Sequence, residues 1–188
     1  MKFEPTPLRD VYVVTPDVHS DDRGFFAETY RQDEFVAAGI PHIFVQDNHS
    51  LSLHRNTVRG LHFQWEAPMA KLMRVTRGSA FLVAVDLRKG SPTLGQWFGI
   101  EASEDNKKQL YAPASCARGF QTLTDMCEVQ YKCSAVYNPD SQGEIAWNDP
   151  EIGINWPIKD APIVSEKNKQ SPSLTEWMSS AESEIFRF

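Results

Sequence analysis

Short runs of alternating apolar and polar residues, rather than helical spacing, dominate this chain. Segments rich in β-branched and aromatic residues follow one another, and turn sequences such as RKGSP, YNPDSQG and NDPEIG separate them. The predicted strands are residues 11–15, 43–46, 58–64, 71–78, 80–88, 95–102, 109–113, 118–123, 128–137 and 144–147. Such regular spacing predicts an all-β sandwich or barrel, which we interpret as a jelly-roll barrel. The long apolar run at 80–88 predicts a central strand that is buried on both faces.

Helical signals occur at only two places, so helices are expected to be short and peripheral. Residues 31–38 run into Gly39, a residue type that commonly ends helices. A C-terminal helix is predicted from about 173 to 186, because Ser173 and Glu176 have capping-box spacing. The apolar residues that recur on one face of this helix are Leu174, Trp177, Met178, Ala181 and Ile185.

Length, composition and charge exclude several classes of protein. The 188 residues suit a single domain spanning 1–188. Acidic residues number 25 against 19 basic ones, whereas a nucleic-acid-binding protein should show a basic excess. No apolar run is long enough for a membrane span, and the N-terminus carries no apolar signal core, so we expect a cytoplasmic protein without a membrane partner. The three cysteines lack CxxC spacing and indicate reduced thiols.

A metal site is not expected. In a barrel, such a site needs a His-x-His pair on one strand and a third His on a facing strand, because side chains two residues apart share a face. His62 lies on a predicted strand, but the residue two positions later is Gln64, and the facing strand carries Arg118. An imidazole, an amide and a guanidinium do not form a transition-metal site, so no metal cofactor is predicted.

Polar residues concentrate around His62, on or beside predicted strands. They are Gln46, Asp47, Asn48, Arg59, His62, Gln64 and Lys71. A polar barrel interior is costly unless it binds something polar. Two interpretations stay open on these residues alone: a ligand-binding interior, or a core histidine whose hydrogen bonds are satisfied within the protein.

Tyr131, on a later strand, can complete a catalytic set with His62 and Lys71. In such a set one group removes a proton, one polarises a carbonyl and one returns a proton, which suits proton abstraction next to a ketone. Elsewhere, a diphosphate can be neutralised jointly by Arg23, Arg59 and Lys167. For any one of these residues taken alone, a core or surface role is the better interpretation.

Eight blocks of sequence, taken together, carry a more specific signal. In chain order they read DDRGFFAETY, FVQDNHS, VRGLHFQ, KLMRVTRG, VAVDLRKGSPTLGQW, ARGF, QYK and AWNDPEIGINWP. From about Arg9 to Pro172 the chain resembles the dTDP-4-dehydrorhamnose 3,5-epimerases. The resemblance implies a homodimeric, metal-free, cupin-type jelly roll. It also implies an isomerase of deoxysugar biosynthesis whose substrate is a nucleoside-diphosphate 4-keto-6-deoxyhexose, epimerised at C3, C5 or both.

The resemblance also implies roles for individual residues. His62 aligns with the family's base, Tyr131 with its acid, and Lys71 with the lysine near the 4-keto oxygen. Tyr137 aligns with the aromatic residue that stacks on the nucleotide base. The positions that align with residues holding the nucleotide and phosphates are Arg23, Glu28, Gln46, Asp47, Asn48, Arg59 and Lys167.

Three substrate-site positions depart from the family's sequence. Arg118 replaces the histidine of an AHGF motif, Asn168 replaces the aspartate that orients the base, and Gln142 replaces a glutamate that contacts substrate. We expect the Asn168 amide oxygen to accept a hydrogen bond from the His62 ring. A neutral amide stabilises imidazolium less than a carboxylate does, so His62 should titrate low, and a nearby Arg118 should lower its pKa further.

These departures leave three alternatives open. The chain is an ordinary 3,5-epimerase, a single-centre epimerase of another nucleotide sugar such as a CDP-linked one, or a sugar-nucleotide-binding protein that has lost catalysis. The retention of His62, Lys71 and Tyr131 argues against the last of these.

Overall fold

Strands make up most of the structure, a computed structural model that describes all residues 1–188. The strands are β1 (Lys2–Pro5), β2 (Tyr12–Thr15), β3 (Val18–Asp21), β4 (Gly24–Ala27), β5 (Gln46–Ser52), β6 (Thr57–Gln64), β7 (Lys71–Arg77), β8 (Ser79–Asp86), β9 (Trp97–Ser103), β10 (Gln109–Ala112), β11 (Cys116–Thr122), β12 (Cys127–Cys133), β13 (Gln142–Glu144) and β14 (Ile163–Val164). The helices are α1 (Gln32–Ala37), α2 (Glu166–Lys169) and α3 (Leu174–Met178), with 3₁₀ turns at Pro139–Ser141 and Ala181–Phe186.

Two sheets face each other in a jelly roll. The first has the order β1-β2-β10-β7-β12-β5, and the second has the order β13-β6-β11-β8-β9, with β14 added beside β6. Strands β3 and β4 form a separate hairpin. Strand β8 pairs with β11 on one side and β9 on the other, and most of its residues are buried. The predictions of an all-β jelly roll and of a central strand here are therefore confirmed.

The interior between the sheets is apolar at one end and polar at the other. On β7, Met73 and Val75 are buried in the main apolar cluster, whereas Lys71 occupies the same face two residues earlier. On β12, Val129 lies in that cluster and Tyr131 packs only at its edge. Because alternate residues of a strand share a face, each strand passes from the apolar core into a polar end.

The C-terminal segment covers the outer face of the second sheet. Trp177 and Phe186 pack on Phe63 of β6, with the Phe63 and Trp177 ring centroids 4.5 Å apart. The capping box of Ser173 and Glu176 is present as predicted.

The predicted continuous helix from 173 to 186 is wrong, because the α-helix ends at Met178 and a 3₁₀ turn follows from Ala181. Serine hydroxyls compete for the helix backbone here: Ser179 Oγ donates to the Thr175 carbonyl, and Ser183 Oγ donates to the Ser180 carbonyl. Phe186 takes the buried position predicted for Ile185, which is exposed.

Helix α1 matches its prediction to within a residue at each end, and Gly39 follows it in a left-handed conformation. Strand β5 differs, because it begins at Gln46 while residues 43–45 are irregular. The side chains of β5 are almost all polar, so an apolar pattern does not reveal it. At 144–147, only Glu144 belongs to a strand. No helix is long and apolar enough to span a membrane.

Candidate active site

A cleft opens at the polar end of the jelly roll, between the two sheets. It consists of two adjoining cavities of about 500 and 380 Å³. His62, Lys71, Tyr131 and Gln142 line both cavities. The residue set selected from the sequence as catalytic is therefore brought together, although β6, β7 and β12 are far apart in the chain.

Strand pairing sets the immediate neighbours of His62. In the antiparallel register of the second sheet, Arg118 of β11 lies opposite His62 on one side, and Glu144 of β13 lies opposite it on the other. An added Cβ at Gly60, where φ is +124°, would lie 2.7 Å from the Gly119 Cα atom. Glycine at positions 60 and 119 thus permits β6 and β11 to approach closely, at the point where their register shifts just after Arg118.

Asn168 of α2 contacts the His62 ring, as predicted. Its Nδ2 atom lies 2.9 Å from His62 Nε2. The sequence-based expectation named the amide oxygen, whereas the structure turns the nitrogen toward the ring, because Ser165 Oγ donates to Asn168 Oδ1 at 3.2 Å. Since this hydroxyl can also accept from an amide nitrogen, the amide can turn its oxygen toward His62 and keep Ser165 as a partner, at the cost of the 3.4 Å contact from Asn168 Nδ2 to Glu144 Oε2.

The environment of His62 keeps the imidazole neutral. Its pKa is lowered to about 4, chiefly by burial and also by the positive charges of Lys71, Lys167 and Arg118, whereas only the Glu144 carboxylate acts to raise it. The predicted depression by Arg118 is confirmed in direction. At neutral pH the ring is therefore unprotonated and able to accept a proton.

Lys71 and Tyr131 face His62 from the first sheet. The Lys71 ammonium lies 4.7 Å from the centre of the Tyr131 ring. Burial and, to a smaller extent, the neighbouring Arg118 guanidinium lower the pKa of Lys71 to about 8. Because that value stays above 7, Lys71 is mostly charged at neutral pH and can stabilise a developing negative charge.

Arg118 is a buried cation, only 2% exposed, on the wall of the cleft. Its Nη1 atom donates to the carbonyls of Pro113 and Cys116, whereas Nε and Nη2 have no hydrogen-bond partner within the chain. A buried guanidinium with unpaired N–H groups favours an anionic partner.

The smaller cavity is lined by a hydrogen-bonded group of polar side chains. Gln46 Nε2 donates to Asn48 Oδ1 at 2.9 Å, and the Tyr137 backbone N–H donates to Gln46 Oε1 at 2.9 Å. The Tyr137 hydroxyl donates to Gln142 Oε1 at 2.6 Å. This hydrogen bond holds the half-exposed Tyr137 ring, which keeps a face available for stacking.

Arg59 and Lys167 line the larger cavity. Arg59 Nε donates to Ser52 Oγ at 3.1 Å. Lys167 Nζ lies 2.8 Å from Glu144 Oε1. Both cations therefore line the same cavity, and their phosphate-binding role stays a prediction.

Three predicted binding residues do not lie in this cleft. Arg23 lies at the tip of the β3–β4 hairpin, where its side chain is 91% exposed and pairs with Asp21. Glu28 lies just after the hairpin and pairs with Arg31. Asp47 pairs with Lys132 on the outer face of the first sheet, because it alternates with the inward residues of β5.

Gln64 lines the smaller cavity, but its side chain is buried and makes its hydrogen bonds within the chain. Its Nε2 atom donates to the carbonyls of Ala67 and Val136, and its Oε1 atom accepts from the Asn138 N–H, so it joins two loops beneath the site.

No group of three or more His, Cys, Asp or Glu side chains is arranged to hold a metal ion.

Sequence reasoning missed Glu144. Its carboxylate is the one that lies within 4.0 Å of His62, at 3.8 Å from Oε1 to Nε2. The available signal was alternation, because Gln142 and Glu144 are two residues apart and share a face of β13. In the sequence pattern, Gln142 belongs to the YNPDSQG turn and the predicted strand begins at residue 144, so the two residues are separated.

The chain is similar in sequence and in fold to known epimerases. The family model for dTDP-4-dehydrorhamnose 3,5-epimerase matches residues 5–176. The dTDP-4-dehydrorhamnose 3,5-epimerase of Pseudomonas aeruginosa is 47% identical, over 94% of this chain and 97% of its own length. The RmlC epimerase of Legionella pneumophila, solved in complex with dTDP-4-keto-L-rhamnose, has a TM-score of 0.94 at 36% identity, covering 100% of this chain and 98% of its own.

A further solved structure is similar to the chain but has a narrower activity. ChmJ, a 3'-monoepimerase from Streptomyces bikiniensis, solved with dTDP-quinovose, has a TM-score of 0.86 at 32% identity, covering 92% of this chain and 88% of its own. The likeness in sequence and in fold extends over nearly all of the chain, including the strands that carry His62, Lys71 and Tyr131. The chain therefore belongs to the dTDP-4-dehydrorhamnose 3,5-epimerase family, within the cupin-type jelly rolls.

Proposed function

We propose that this protein epimerises a dTDP-linked 4-keto-6-deoxyhexose, as its dTDP-4-dehydrorhamnose 3,5-epimerase relatives do, in deoxysugar biosynthesis. The observation that carries the proposal is the neutral imidazole of His62 in one cleft with the Lys71 ammonium and the Tyr131 phenol. A base, a cation and a proton donor are the groups that inversion next to a ketone requires.

The reaction uses the acidity that the 4-ketone gives to the neighbouring C–H bonds. His62 takes the proton, and the electron pair of the C–H bond moves through the carbonyl to its oxygen, forming an enolate. Lys71 stabilises the negative charge on that oxygen. Tyr131 then donates its phenolic proton to the opposite face of the carbon while the enolate electrons form the new C–H bond. Proton exchange with solvent restores imidazole and phenol.

The remaining cleft residues suit the nucleotide half of the substrate. Arg59, Arg118 and Lys167 provide positive charge for the diphosphate or the enolate. Tyr137, held by Gln142, provides the stacking surface for the nucleotide base, and the Gln46 and Asn48 amides provide hydrogen-bonding groups in the same cavity.

A single-centre epimerase is the second candidate. The cations around His62 make it a weak base, and Asn168 adds no negative charge beside it. A weaker base favours the more acidic or better-aligned of the two C–H bonds. ChmJ provides a structural relative with monoepimerase activity.

We also propose that the working unit is a homodimer in which each chain completes the other's site. The β3–β4 hairpin pairs with no other strand, and its side chains Phe25 and Phe26 are 59% and 70% exposed. Exposed aromatic side chains on such a projection favour a protein partner. An exchange of hairpins places Arg23 near a cleft that it does not reach within its own chain.

Mixing two inactive variants tests the dimer. His62→Ala lacks the base, and Arg23→Ala lacks the phosphate contact. In a mixed dimer one cleft combines His62 from one chain with Arg23 from the other, so coexpression is expected to restore about a quarter of the wild-type sites. Activity no higher than that of the separate variants contradicts hairpin exchange. The control is a mixture of His62→Ala with Tyr131→Phe. Each chain supplies both of these residues to its own cleft, so in a mixed dimer one cleft lacks His62, the other lacks the Tyr131 phenol, and no site is complete.

We also propose that the protein is cytoplasmic. All three cysteines are buried free thiols, which is typical of a protein that stays in the reducing cytosol.

Proton NMR in D₂O tests the reaction. The protein is incubated with dTDP-4-keto-6-deoxyglucose and, separately, with the CDP-linked sugar. We expect deuterium to replace hydrogen at C3 and C5 of the dTDP sugar, with inversion. Exchange at one carbon only supports the second candidate, faster exchange with the CDP sugar contradicts the dTDP assignment, and tight binding without exchange indicates a binding protein.

A further inference from the structure

Glu144 is an ionised carboxylate fixed beside His62 by several donors. Its side chain is 9% exposed. Oε1 accepts from Gln142 Nε2 at 2.7 Å and pairs with Lys167 Nζ at 2.8 Å. Oε2 accepts from Ser171 Oγ at 3.1 Å and from Asn168 Nδ2 at 3.4 Å. Burial acts to raise the pKa of Glu144, but the Lys167 hydrogen bond and the nearby His62 outweigh it, and the pKa lies below its ordinary value.

The other charged groups around His62 are all positive. Lys71 faces it from β7, Arg118 from β11 and Lys167 from α2, and each disfavours protonation of the ring. The Tyr131 phenol on β12 and the Asn168 amide on α2 complete the surroundings as polar hydrogen-bonding groups. A base in such a field accepts a proton only if something compensates the imidazolium that forms.

Asn168 does not supply that compensation. Its amide contacts His62 Nε2 directly, and by presenting its oxygen it can accept an N–H from the imidazolium, but it carries no charge. The carboxylate that lies 3.8 Å from the same nitrogen, and that also contacts the Asn168 amide, is Glu144.

We propose that Glu144 is the positioning residue of the base, the counter-charge that stabilises the His62 imidazolium while Asn168 holds the ring. The inference deepens the proposed function and rests on it, since it takes His62 as the proton acceptor. In this arrangement the negative charge comes from β13 and the hydrogen bond from α2, so the two tasks of an orienting carboxylate are divided between two residues.

Glu144→Gln tests this proposal, because the amide keeps the size of the side chain and removes its charge. We expect the midpoint of the His62 titration, followed by proton NMR of the ring without substrate, to fall by at least about one pH unit. We expect kcat at neutral pH to fall roughly tenfold to a hundredfold, the size of effect seen when a residue orienting another functional group is removed. The acid limb of the kcat/KM profile should move to lower pH with the titration.

Glu166→Gln is the matched control. Glu166 lies on α2 close to Asn168 in sequence, but its carboxylate is 81% exposed and pairs with Lys169. Its replacement should leave both the His62 midpoint and kcat unchanged. An unchanged midpoint in Glu144→Gln, or the same change in both variants, overturns the proposal.

Rescue separates the role of the charge from damage to the fold. The double variant Glu144→Gln with Asn168→Asp returns one carboxylate to the His62 contact, so both the His62 midpoint and kcat should recover toward wild type. A midpoint that recovers supports the counter-charge role, and one that stays low in a folded double variant contradicts it.

The titration needs no substrate. If the protein inverts no sugar, the NMR result still decides the role of Glu144, whereas normal epimerisation with an unaffected titration rejects Glu144 and leaves the proposed function intact.

Discussion

His62→Ala is expected to abolish deuterium exchange at every carbon that exchanges in the wild type, a loss of about 10²–10⁴ or more in rate. His62 is the side chain of the cleft that combines a low pKa with a position between Lys71, Arg118 and Glu144. Alanine removes the proton acceptor, and no other neutral imidazole lies in the cleft to replace it. Affinity for dTDP, measured by calorimetry, should change little, because a base acts on the transition state more than on binding.

His49→Ala is the control for this variant. His49 lies on β5, the strand that precedes β6 in the chain, but it faces outward, is half-exposed and contacts Glu128. We expect wild-type exchange in His49→Ala. Exchange that persists in His62→Ala at the wild-type rate removes His62 from the mechanism and requires a different base.

Tyr131→Phe is expected to separate exchange from inversion. The change removes only the phenolic oxygen and leaves the ring that packs beside Lys71. His62 can still take the proton and return a deuteron from its own side, so deuterium should enter the sugar with retention. Inversion should fall by about 10²–10⁴, because proton return from the opposite face lacks its donor. NMR coupling constants of the product distinguish the two outcomes.

Tyr12→Phe serves as the comparison, since Tyr12 lies on β2 and packs against Tyr111, away from the cleft. It should exchange and invert as the wild type does. Inversion by Tyr131→Phe at the wild-type rate indicates that water or another group returns the proton.

The fold was predictable where local pattern and tertiary structure impose the same requirement. Strands such as β6, β8 and β11 contain β-branched or aromatic residues because they are paired on both sides and buried in the sheet. Strand β5 lacks that signal, since its inward side chains line a polar cleft and not the core. The hairpin β3–β4 was missed for a related reason, as it packs into no core of its own chain.

The sequence by itself determined which chemistry-bearing side chains exist and which strands carry them. His62, Lys71 and Tyr131 could be assigned to strands from the local sequence pattern alone. The Ser173 capping box was likewise local, because its groups are only three residues apart.

Only the tertiary structure decided which charges act on the base. Glu144 and Arg118 flank His62 because β13 and β11 pair with β6 in one particular register, and Asn168 reaches the ring from a helix more than a hundred residues away in sequence. The pKa of a buried imidazole depends on charges a few ångströms away, and such distances arise from pairing between distant segments. The residue types alone therefore indicated a weakened base without a carboxylate, whereas the folded chain places the carboxylate of Glu144 beside it.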